Sequence, residues 1–128
     1  MSDAEKVQYH LWYLHAMEAL DAGIRLILKA INGGLTREQQ GRADLALLQL
    51  KGEKKQQEDR HRAFVREREG RIRPPSPEHV ARASQLADDI DQAIAGSQAV
   101  SASLALVDGA LELFNETQNV PAPVEPAG

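Results

Sequence analysis

The amino-acid sequence predicts an all-α protein, an elongated up-down-up bundle of three helices with coiled-coil character. Three observations carry that expectation. Ala (19 residues) and Leu (15) dominate the 128-residue chain, which holds only two Phe, two Tyr and one Trp, a balance that favours helix over sheet. Three separate helix starts are written in capping residues, and one long segment repeats its apolar residues with heptad spacing. Val, Ile, Leu and Phe together make up 30 residues, enough for collapse around a core.

The first helix is expected over about 3–32. Ser2 and Glu5 form a capping box at its start, and Asn32-Gly33-Gly34 stops it. It is apolar on more than one side. Val7, Leu11 and Leu14 form one stripe, Tyr9, Trp12, Tyr13 and Ala16 a second beside it, and Met17, Leu20, Ile24, Ile27, Leu28 and Ile31 continue the core. The second helix, about 36–69, starts at the Thr36/Gln39 box and ends before Gly70. Leu45, Leu47, Leu48 and Leu50 serve a core, but Lys51 to Arg62 contains no large apolar residue; Ala63, Phe64 and Val65 resume the pattern.

The third helix is expected over about 77–117, with Ser76 as N-cap, Pro77 at the first helical position and Glu78 in the first turn. Leu86, Ile90, Ala93, Ser97, Val100, Leu104, Val107, Leu111 and Phe114 alternate spacings of four and three, an unbroken seam. Some forty residues at about 1.5 Å each would span roughly 60 Å. A kink at Gly96 is the alternative. Residues 1–118 then form one bundle domain. The tail 119–128, with three prolines in VPAPVEPAG, is expected to be disordered.

Antiparallel helices joined by short turns place Ile24 level with Leu45 and Ala102, and His10 level with Glu58 and Asp89. At the second level helix two offers only charge and glutamine, leaving apolar groups on the other two helices without cover. A homo-oligomer follows, most simply a dimer, with Tyr9, Trp12, Tyr13, Leu86 and Ile90 at the interface. The alternative is a bend at Gly52 that lets the bundle repack.

The net charge of −4 conceals segregation: residues 1–50 hold five basic and six acidic side chains, 51–73 nine and five, and 74–128 one and eight. Lys54, Lys55, Arg60, Arg62, Arg66, Arg68, Arg71 and Arg73 could therefore meet phosphates of a nucleic acid or small ligand. Five interrupting acids and the absence of a DNA-reading motif favour instead a solvated face laced with ion pairs such as Glu58 with Arg62. Glu58xxHis61 has the spacing used in carboxylate-bridged metal bundles, and His10 and Asp89 fall at the same expected level; half a motif in polar surroundings is the weaker reading.

No cofactor is expected. The chain has no cysteine, which removes disulfide scaffolds, thiolate zinc sites and cysteine nucleophiles. No P-loop or dinucleotide fingerprint occurs, and Ser97, Ser101 and Ser103 have no histidine near them, so an enzyme is not expected. Neither a secretory signal nor a membrane span is expected, in keeping with a cytoplasmic setting. The preference for Ala and Arg, with ten Arg against five Lys, leads to the expectation of a GC-rich bacterial or phage genome. The reading that remains is a helical binding protein, an adaptor, inhibitor, chaperone or regulator, whose partners are itself and another protein.

Overall fold

The computed structural model of the protein describes residues 2–67, 76–96 and 99–118. Among them it is all-helical: α1 Asp3–Asn32, α2 Arg37–Glu67, α3 Pro77–Ala95 and α4 Val100–Gln118. The expected tail at 119–128 lies outside the described residues.

The three helix starts form as their capping residues dictate. Ser2 Oγ accepts from Glu5 N while the Glu5 carboxylate accepts from Ser2 N, each at 3.1 Å. Thr36 and Gln39 make the same reciprocal pair at 3.2 and 3.1 Å. Ser76 Oγ accepts from His79 N at 3.2 Å, with Pro77 behind it at the first helical position. α1 ends where expected. Gly33 N donates back to Lys29 O, and Gly34 takes φ +88°, a conformation that costs glycine nothing.

The expected continuous third helix is corrected: it is two helices. α3 stops at Gly96, whose φ −98° and ψ −177° are extended, and α4 begins at Val100. Gly96 with small neighbours makes helix continuation weak here, and the orphan carbonyls of α3 find a partner. Lys29 of α1 donates its ammonium to Ile94 O and, at 2.9 Å, to Gly96 O. Apart from Ser97, which lies outside the described residues, the heptad residues stay in or against the core, but they line two helices rather than one coiled-coil seam. Ile90 and Ala93 on α3, and Leu104, Val107 and Phe114 on α4, are all in the core.

α4 runs back along α3, so that Arg82 near the start of α3 meets Glu116 near the end of α4 at 2.7 Å. The result is an up-down-up-down bundle in which α1 and α4 each touch all three other helices, while α2 and α3 do not touch. At about 1.5 Å per residue the longest helices span roughly 45 Å, not 60 Å. Ala16, Ala19, Ala22, Ala83, Ala87 and Ala93 are all buried, which lets α1 and α3 approach closely. A β-carbon on Gly23 would sit 3.3 Å from the Leu50 side chain, so α1 and α2 are also tightly apposed there.

The α1–α2 register is displaced by about one turn from the expected levels. Tyr9 stacks on Phe64, Tyr13 on His61, and Asp21 binds Lys54. His10 therefore lies beside His61 and Phe64 rather than level with Glu58.

Candidate functional site

Three of the five expected interface residues are buried within the single chain, and the other two, Tyr13 and Leu86, are partly buried. Trp12 is 2% exposed and Ile90 0%, and Tyr9 is likewise buried. Tyr13 is covered in part by His61, and Leu86 packs against the core and beside Gly109 of α4. The physical reason is the break at Gly96. Folding α4 back places Phe114 edge-on to Trp12 at 5.6 Å. α2 supplies Phe64 and the buried side chain of Gln57, whose Oε1 accepts weakly from Trp12 Nε1 at 3.4 Å. The stretch that looked purely polar thus enters the core through one amide, which anchors the indole N–H.

Once that surface is covered, the largest surplus of apolar surface on α1 lies on its opposite face. Val7, Leu11 and Leu14 are 59%, 41% and 53% exposed and follow one another at i, i+4 and i+7. On α2, Leu45 and Leu48 are exposed one turn apart. Continuing the inner series of α1 at helical spacing gives Ala16, Ala19, Leu20, Gly23, Leu26 and Ile27, apolar to the end. Continuing the outer one gives Glu18, Asp21 and Arg25. That contrast distinguishes core from surface and is visible in the sequence.

The basic residues are scattered in their environments. Lys54 binds Asp21 at 2.8 Å, and that hydrogen bond and charge raise its pKa. Arg62 is paired with Asp59 one turn away. Arg60 is half-buried and close enough to oppose the burial that pushes the Tyr9 hydroxyl up to about 12. Lys55 is exposed. The Arg66 side chain, with Arg68, Arg71 and Arg73, lies outside the described residues.

The four candidate metal ligands do not converge. His10 and His61 come together, with ring centroids 5.9 Å apart. Asp89 accepts from Gln85 on α3, a helix that does not touch α2. No group of three or more potential ligands gathers among the described residues. Burial, and then the nearby charge of His10, hold the His61 pKa below its ordinary value.

The surface between α2 and α4 carries an open groove of about 600 Å³ walled by Gln49, Gly52, Glu53, Gln56, Leu111, Glu112 and Asn115. Its open walls, half polar and half apolar, differ from the enclosed apolar clefts that bind small molecules. No described helix is long and apolar enough to cross a membrane. Comparison with protein families, curated protein sequences and solved structures finds no match to the chain.

Proposed function

We propose that the protein is a non-enzymatic, self-associating helical binding protein that docks through the outer face of α1, with a second copy of itself as the partner. The observation that carries this reading is the exposed stripe Val7, Leu11 and Leu14. Its spacing is that of residues which pack against another helix. Charges bracket the stripe with mixed sign, Asp3 and Lys6 before it and Glu18, Asp21 and Arg25 after it. In an antiparallel pair of α1 helices the three apolar side chains of one stripe face those of the other, with charges of both signs left at the rim, among them Lys6 beside Asp3 and Glu18 beside His15. A patch that meets its own copy is the requirement of a two-fold interface.

Stable interfaces bury about 800 Å² per partner, more than three side chains supply. The expected association is therefore weak and concentration-dependent, stronger if Leu28 joins the contact. A dilution series followed by amide NMR tests it. Shifts that move with concentration at residues 4–18 support the reading. Shifts independent of concentration, or moving instead on α3 and α4, overturn it.

A further inference from the structure

The seam between the first half of α1 and the last half of α2 is closed by five rings. Tyr13 and His61 lie face to face with centroids 3.9 Å apart, and Tyr9 stacks on Phe64 at 4.1 Å. His10 stands edge-on to His61 and Phe64, at 5.9 and 5.3 Å. Two of the five are imidazoles, which change charge near neutral pH. Among the described residues neither has a carboxylate at ion-pair distance, whereas His15 has Glu18 and His79 has Glu116, each at 3.8 Å. His61 Nδ1 is buried with no hydrogen-bond partner.

We propose that this cluster is an acid-released clasp: with the His61 imidazole neutral it holds the N-terminal half of α1 on α2, and protonation of His61 opens that seam. The groups around it leave little to neutralise a cation at His61. α1 adds Tyr9, Tyr13 and, one turn before His10, Lys6. α2 adds Glu58 one turn before His61, together with Arg60, Arg62 and Lys54, the last two already paired with Asp59 and Asp21. α4 brings Phe114 to Trp12, but its Glu116 is bound to Arg82 and His79 of α3, and α3 does not touch α2.

A cation over the Tyr13 face would gain some attraction. Burial, and then the like charge of His10, outweigh it and hold His61 below its ordinary 6.5. The unfolded chain therefore takes up the proton first. The contribution of the clasp is complete above about pH 6.5 and is lost as the pH falls through that value toward the lower folded-state pKa. The segment that opens carries Tyr9, buried against Phe64 of α2, so acid turns buried aromatic surface outward. This inference is independent of self-association.

Amide hydrogen exchange on dilute protein at about pH 7.5 and about pH 5, corrected for intrinsic rates, tests it. Amides of residues 8–14 should exchange at least about tenfold faster at the lower pH, those of residues 20–30 less than about twofold. His61→Phe should remove most of the difference, and His61→Gln serves the same purpose should that variant not fold. A uniform change along α1, or an unaltered pH response in a folded variant, overturns the clasp. So does a His61 ring titration in the native chain with its midpoint at or above about 6.5.

Discussion

The two faces of α1 are equally greasy in their first half and have opposite fates. The inner face presents Tyr9, Trp12 and Ala16, and every one is buried by the same chain. The outer face presents Val7, Leu11 and Leu14, and none is buried. Apolar content is therefore a poor guide to which surface of this helix is interior. The decisive property is whether the series continues: nine buried positions run from Tyr9 to Ile27, while the outer stripe gives way to charge after two turns.

The sharpest way to break the contrast is at Trp12. Trp12→Ala removes the ring that meets Phe114 and strands the Gln57 amide in the core, and should cost about 3–5 kcal/mol, read from urea unfolding. Were Trp12 an interface residue only, the monomer would keep its stability. Leu104→Ala probes the α4 cover from the other side. It should cost about 2–5 kcal/mol and lower the melting temperature of the whole bundle in one transition. On the outer face, Leu11→Asp should change monomer stability by no more than about 0.5 kcal/mol while weakening association. Gly52→Ala, on an open stretch of α2 where a β-carbon meets nothing within 4 Å, should stabilise by about 0.5–1 kcal/mol.

Much of the architecture was legible in the sequence because it is encoded locally. The capping residues at Ser2, Thr36 and Ser76 each satisfy orphan backbone groups within four residues, so no tertiary knowledge is needed to place them. The break at Gly96 was harder. A heptad pattern reports only that residues face a core, and it reads the same whether one helix carries it or two helices carry half each. At the break, Lys29, sixty-five residues away from Ile94, caps the end of α3, a contact that local sequence does not announce.

The same non-local event moved the candidate site. With a straight third helix, Trp12 and Ile90 would lack cover; with α4 folded back, Phe114 supplies it. The pairing of His10 with His61 depends on an inter-helix register that turn length sets only to within about one turn, and that displacement separates Glu58 from His10 while bringing Phe64 in. The Val7, Leu11 and Leu14 stripe could have been separated from the core by following it past Leu14 into Glu18 and Asp21.

Whether the outer stripe of α1 is a contact surface between copies is read from absolute mass by light scattering across a concentration series. The mass should start at the 14.0 kDa of one chain and climb toward double with concentration, and should stay at the single-chain value in the Leu11→Asp, Leu14→Asp double variant. A native chain that remains at the single-chain mass throughout, or a double variant that associates like the native chain, would contradict self-association through the stripe.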